Sequence, residues 1–292
     1  MAHGKNASKR TERIVSMIFL LLGLVTVGSV LLITFFLVLS GIPAIREIGL
    51  TDFLLGRTWA STAAEPAYGI LPFILTSVYG TAGAIALGVP VGLLTAVYLA
   101  KAANKRVRSV VSGAVSLLAG VPSVVYGLVG MLVLVPAIRS LFRVPDGASL
   151  LAAIVVLAVM ILPSIIKVSM VALEAVPKEY EEASLALGAT EVETWFHVSV
   201  PAARSGIAAA VVLGVGRAIG EAMAVMMVSG NVPNMPELFE SVRFLTTAVA
   251  SEMSYSSGLQ RQALFSIALV LFLFILLINA VLNGILKGGK ER

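Results

Sequence analysis

The chain of 292 residues has no cysteine, two histidines and a charged fraction of only 13%. Each shortage removes a class of chemistry. Without cysteine there is no disulfide, no thiolate zinc site and no cysteine nucleophile. His3 and His197 stand too far apart to form a local metal motif, so no metal site is expected. No Gly-x4-Gly-Lys-Ser/Thr phosphate loop occurs. The terminal Gly288-Gly289-Lys290 has neither its spacing nor a following helix. ATP binding and hydrolysis by that route would have to reside on another polypeptide.

What the chain has in excess is apolar surface. Hydrophobic residues make up 58% of it and its mean hydropathy is +0.99, far outside the range of soluble domains. The apolar runs are continuous rather than alternating, which excludes a β-barrel and points to helices crossing a bilayer. Six runs reach the roughly 20 residues a crossing needs: 14–40, 70–100, 110–138, 150–173, 207–229 and 263–286. The first follows a basic stretch but far exceeds the h-region of a signal peptide, so it reads as a retained anchor. The predicted fold class is an all-α membrane protein with six transmembrane helices.

The net charge of +5 raises the question of nucleic acid, but counting by loop gives it a topological cause. Thirteen Lys and Arg residues fall on the side of the N-terminus and six on the other, a bias that places both termini in the cytoplasm. No nucleic-acid partner is expected. The chain then divides into a cytoplasmic N-terminus (1–13), an extra N-terminal transmembrane helix (14–40), an external loop (41–69), a membrane core of five helices (70–286) and a cytoplasmic tail (287–292). The core includes a cytoplasmic segment (174–206) and an external loop (230–262). Prolines 233 and 236 break that second loop, after which "PELFESVRFLTTAVA" has apolar residues near helical spacing and predicts a short surface helix. Trp59 is expected at the membrane interface.

The cytoplasmic segment reads as helix, glycine turn, helix. "PKEYEEASLAL" opens at Pro177, carries glutamates in its first turn and stops at Gly188. Tyr180, Ser184 and Leu187 are expected to share one face. The second helix begins with Thr190 and Glu193 at capping-box spacing and ends at Pro201. An amphipathic hairpin lying on the inner membrane surface is one reading. Six glutamates (174, 179, 181, 182, 191 and 193) would then face an anionic leaflet, so a protein partner with basic or polar pockets is the better match. His197 is expected to be an interface or packing residue.

Glu182-Ala183-Ser184, three residues, Gly188, nine residues, then Val198-Ser199-Val200-Pro201 resembles the EAA motif of ABC importer permeases, EAA-x3-G-x9-I-x-L-P. Spacing is kept throughout, with Ser, Val and Val as the departures. The resemblance implies a type I importer permease with a MetI-like bundle. Tyr180, Glu182, Ala183, Ser184, Leu187 and Gly188 would then form a coupling helix seated on a partner ATPase that binds ATP and Mg. "FLLGRTWAS", "YGILPFILTSVYGT", "LAGVPSVVYGL" and "GRAIGEAMAV" are together similar to phosphate-specific (Pst) permeases, the last to the PstC subunit. What this implies is phosphate import in the cell inner membrane. The partners implied are a PstA-like second permease, two PstB-like ATPase subunits and a PstS-like binding protein.

Arg217 and Glu221 lie in the fifth run, where an arginine costs about 2.5–3.5 kcal/mol on insertion scales and normally faces a partner or an aqueous path. At i,i+4 spacing they can pair along one helix face. Two roles are open: an ion pair locking spans together, or an anion-attracting arginine tethered by its glutamate. Arginine's planar fork suits a tetrahedral oxyanion. Pro122 predicts a kink in the third run, with Ser123 and Tyr126 as pathway candidates and the surrounding glycines as packing positions. Molybdate, tungstate or sulfate as cargo, a self-sufficient channel and an ion-coupled transporter are the alternatives. An intramembrane enzyme lacks a nucleophile with a positioned base.

Overall fold

The structure, a computed structural model, describes residues 3–288. Helix α1 (His3–Ile48) is followed by a short α2 (Leu50–Leu55) and a two-stranded ribbon, β1 (Trp59–Ala60) and β2 (Ala67–Tyr68). Next come α3 (Leu71–Val97), α4 (Lys105–Gly120), α5 (Ser123–Val129), α6 (Val135–Phe142) and α7 (Leu150–Glu174). The small elements α8 (Lys178–Ala186), α9 (Glu191–Thr194) and α10 (Val200–Ala202) lead to α11 (Arg204–Gly220), α12 (Met223–Val228), α13 (Leu245–Glu252) and α14 (Gly258–Gly288). Single π-turns join α3 to α4, α5 to α6 and α9 to α10. Among the described residues, five helices are long and apolar enough to cross a membrane. A sixth crossing follows if the pair Glu191–Ala202 and Arg204–Gly220, bent by 73°, counts as one.

Two of the predicted spans are broken. The third run divides into α4 and α5 at Val121–Pro122, because Val121 is extended (ψ 128°) as a residue before proline must be, and Pro122 has no amide to continue the ladder. The fifth run divides into α11 and α12 at Glu221, which is also extended (ψ 129°). The first helix is longer than predicted, running through to Ile48.

The bundle is organised around α7. Ile154, Ile161 and Ile165 project from it into notches that glycines leave on α3. A Cβ at Gly83 would stand 2.7 Å from Ile154, one at Gly88 would stand 2.8 Å from Ile161, and one at Gly92 would stand 2.7 Å from Ile165. Without a hydrophobic force between helices in lipid, such close approach is what holds spans together. On the other side Gly206 of α11 meets Ala172, where a Cβ would lie only 2.3 Å from the alanine methyl. Helix α1 touches the rest chiefly at its far end, where Phe36 meets Phe265 edge-on at 5.4 Å and Ser266 Oγ donates to the Gly41 carbonyl at 2.6 Å.

The end of the bundle opposite the α8–α9 hairpin is closed by a polar cap. Trp59 is buried, against the expectation of an interface anchor: the ribbon presses its ring onto Tyr68 and Phe73, and its Nε1 donates to Glu252 at 3.3 Å. Glu252 also receives Arg243, and Gln260 donates to it at 3.1 Å. The helix predicted on the surface of the second loop begins at Leu245 and is sunk in the bundle, with Leu245, Thr246, Thr247 and Ala248 buried. Residues before it run irregularly because their carbonyls serve α7. Leu238 and Glu240 accept from the Leu151 and Leu150 amides, donors that a helix start leaves unpaired.

Candidate functional site

Two structures carry the functional argument, one at an end of the bundle and one inside it. At the end, α8 and α9 form the predicted hairpin. Thr190 and Glu193 close a capping box, and Gly188 takes φ +92°, a conformation that terminates α8 because an L side chain rarely adopts it. The Thr190 backbone amide and hydroxyl both donate to Glu193, holding its carboxyl below the usual carboxylate range. Gly188, Glu182, Ala183, Tyr180 and Leu187 are exposed, Leu187 at 90%. Ser184 departs from the face expected of it: its hydroxyl bonds Thr194 at 2.9 Å and fastens the two arms of the hairpin.

Two of the six glutamates point into the chain's own cations. Glu181 pairs with Lys101 beyond α3 and accepts from Ser199 Oγ at 2.8 Å. Burial alone would raise its carboxyl, but those two hydrogen bonds and the charges of Lys101 and Lys178 outweigh it and leave the carboxyl below its ordinary range. Glu174 pairs with Arg108 at the start of α4. Glu179, Glu182, Glu191 and Glu193 remain outward.

Inside the bundle the two broken spans pack against each other. Gly127 of α5 lies so close to α12 that a Cβ there would meet Ala224 Cα and Met227 Sδ at 2.8 Å. Gly130 meets Val228 and Val156 in the same way, so these two glycines serve packing as expected. Gly113 and Gly120 have nothing opposite them within this chain. Tyr126 Oη donates to the Leu118 carbonyl at 2.7 Å, spanning the α4–α5 break and adding a second donor to a carbonyl that also accepts the Val121 amide at 3.2 Å.

Arg217 sits in the last turn of α11. It makes no ion pair with Glu221, because the continuous helix that an i,i+4 pair requires ends between them. Glu221 instead turns onto α12: its Oε1 accepts the Ala224 amide at 3.0 Å, and its carbonyl accepts Thr246 Oγ1 at 2.8 Å. A carboxylate suits a helix start, where amides are unpaired and the dipole is positive. Tyr126 packs against the cluster that holds Ala218 and Ala224, close to Arg217 and Glu221 in the chain, and Ser123 opens α5 one turn before it.

The family model described as binding-protein-dependent transport system inner membrane component matches residues 88–288. The chain belongs to that family. Probable ABC transporter permease protein YqgH of Bacillus subtilis is 40% identical over 88% of this chain and 86% of its own length. The phosphate transport system permease protein PstC 2 of Mycobacterium tuberculosis is 31% identical, covering 97% of this chain and 94% of that one. PstC of Haemophilus influenzae is 33% identical, with 81% and 80% covered. Among solved structures, the permease resembles a chain of the MetNI methionine ABC transporter in inward-facing conformations. Their TM-score is 0.56 at 22% identity, over 76% of this chain and 94% of that one. That likeness carries the MetI-like fold.

The permease is therefore a membrane-embedded subunit of an ABC importer and not an enzyme, with the ATPase on a separate subunit. Two of its functional features escape a reading by loops and runs. Of its 21 Lys and Arg residues, the loop tally leaves out Arg217 and also Lys167, a half-buried lysine two turns inside the end of α7. A search of each apolar run for single charges would have found it. The inward turn of Glu181 has no such signal, since only the folding of α8 against the turns that carry Lys101 and Ser199 separates it from Glu182.

Proposed function

We propose that this permease imports inorganic phosphate across the cell inner membrane, with its N-terminus and the α8–α9 hairpin in the cytoplasm. Arg217 carries the reading: a permanently charged guanidinium about 20 Å along α11 from its start, at a helix break and in no ion pair among the described residues. Such a group presents paired donors to a tetrahedral oxyanion in a region of low dielectric. The PstC relatives, which span nearly the whole chain, support phosphate as the oxyanion.

In this reading Arg217 attracts phosphate, Tyr126 and Ser123 line the path beside it, and Glu221 holds the break open by capping α12. The second half of the pore is a PstA-like permease, and a PstS-like protein delivers phosphate from outside. Two PstB-like ATPases, which bind ATP and Mg, sit below. Tyr180, Glu182, Ala183, Leu187 and Gly188 form the surface that meets one ATPase, while Ser184 keeps the hairpin closed. The positive bias of the hairpin side supports this orientation.

Uptake of radiolabelled phosphate by cells carrying Arg217→Gln tests the reading. Uptake should be abolished while the variant still co-purifies with its ATPase. Full uptake by that variant refutes the role of Arg217, and competition by molybdate or sulfate equal to that by phosphate refutes the cargo.

A further inference from the structure

Helix α4 has a composition unlike that of its neighbours. Lys105, Ser109, Ser112 and Ser116 recur at i, i+4, i+7 and i+11 and share one face, beside Arg108. Its first turn is basic and carries no acid, which opposes the helix dipole and favours an anion nearby. The adjoining face of α4 is apolar and anchors it: Val111 and Val115 pack on Ile166 and Met170 of α7.

Along the seam between α4 and α7 lie two adjoining cavities that share Ser112 and Met170. One, of about 520 Å³, is lined by Lys105, Arg108, Ser109, Ser112 and Met170. The other, of about 250 Å³, reaches Ser116 and Lys167. Lys167 forms no ion pair, and the Ser112 hydroxyl is buried without a hydrogen-bond partner. Glu174 neutralises Arg108, so Lys105 and Lys167 remain as net positive charge around an unpartnered hydroxyl. About 12 Å further along α7 the seam turns wholly apolar. There a groove of about 530 Å³ is lined by Leu118 and Val121 at the α4–α5 break, by Val125 and Tyr126 of α5 and by Val155 and Val159 of α7.

We propose that this seam is a binding site for an anionic phospholipid. The cationic, hydroxyl-rich part lies at the end of α7, where headgroups are found, and the apolar part lies towards the middle of the membrane, where acyl chains are. The lipid phosphate sits among Lys167, Lys105 and Ser112, giving the lysine inside the span a counter-charge and the serine an acceptor. One acyl chain fills the groove from Leu118 to Val159. A free phosphate ion would satisfy the polar half alone and leave the apolar half unexplained. The cationic half lies on α4 before the α4–α5 break, the apolar half crosses that break and reaches Tyr126, and the proposal rests on the chain being membrane-embedded, not on which cargo it carries.

The test uses the full chain assembled with its ATPase and partner permease in nanodiscs of phosphatidylcholine. These are doped with a photoactivatable phosphatidylglycerol whose reactive group is on one acyl chain. Labelling should map to peptides of α4–α6 and α7 and fall about fivefold in Lys167→Gln. It should fall comparably in Val159→Trp, which fills the groove but leaves both lysines. The matching phosphatidylcholine probe should label weakly, and millimolar inorganic phosphate should not compete. Equal labelling by the two lipids, unchanged labelling in both variants, or displacement by inorganic phosphate would each overturn the proposal. Assembly of each variant is read from co-purification of the ATPase. If Lys167→Gln does not assemble, the Val159→Trp and phosphatidylcholine arms still decide.

Discussion

Lys101 and Glu181 form an ion pair that joins the π-turn after α3 to the first turn of α8, and Ser199 donates to the same carboxylate from beyond α9. Three separate segments therefore meet on one side chain. The hairpin is held to the membrane helices there, and not only by the chain leading in and out of it.

Replacing Glu181 with Ala should weaken that junction by about 1.5–3 kcal/mol, the range for hydrogen bonds to a charged group. Its carboxyl is held below the ordinary range in the folded state, so its contribution is complete above the unfolded glutamate value of about 4.3 and lost as pH falls through the lower folded value. Hydrogen exchange of 178–203 should accelerate in Glu181→Ala at neutral pH, and in the wild type only under acid. Exchange that is the same in both at neutral pH would show that the ion pair does not hold the hairpin.

Gly88→Val should destabilise the bundle by about 1–3 kcal/mol, because the new side chain overlaps Ile161 and stands 3.2 Å from the Ala158 carbonyl, which cannot move aside. Gly113→Ala, with open space before it, should leave thermal unfolding of the isolated chain unchanged. Thermal unfolding of the two purified variants checks both statements.

Glu252 gathers donors from Trp59, Ser61, Arg243 and Gln260, so Glu252→Ala leaves Trp59 Nε1 without its acceptor and Arg243 without its counter-charge, while Arg243 keeps the Asn231 carbonyl and Gln260 keeps Ser61. A loss of about 3 kcal/mol is expected, at the low end for a broken buried pair because the side chain keeps 19% of its exposure. Limited proteolysis should then cut within 231–257, a segment that should resist in the parent.

At the α11–α12 break, Glu221→Gln keeps an acceptor for the Ala224 amide, whereas Glu221→Ala removes it at a cost of about 1 kcal/mol. Uptake should survive in the Gln variant and fall in the Ala variant. Loss in both would mean that the negative charge, and not the cap, is what transport needs.

How far the sequence foretold these features follows from the range over which each is decided. The hairpin was legible because Thr190, Glu193 and Gly188 act on residues three or four away. The α4–α5 break announced itself through Pro122, which acts on its own neighbours. The break at Glu221 did not, since a single glycine such as Gly220 is tolerated inside a helix and the outcome there depends on α13, where Thr246 Oγ1 donates to the freed Glu221 carbonyl. Trp59 was misplaced for a similar reason: its burial depends on Glu252, 193 residues away. Lys167 was hidden by averaging, one charge among apolar neighbours.

Under the proposed function, the 73° bend between Glu191–Ala202 and Arg204–Gly220 would give the hairpin a mechanical role. A rigid elbow converts a sideways push on its short arm into a swing of its long one. Helix α11 is about 25 Å long, so a tilt of only about 10° at the elbow would carry its far end, and Arg217 with it, through roughly 4 Å. Ser199, held by Glu181, sits just before that elbow, which makes the carboxylate a fulcrum pin.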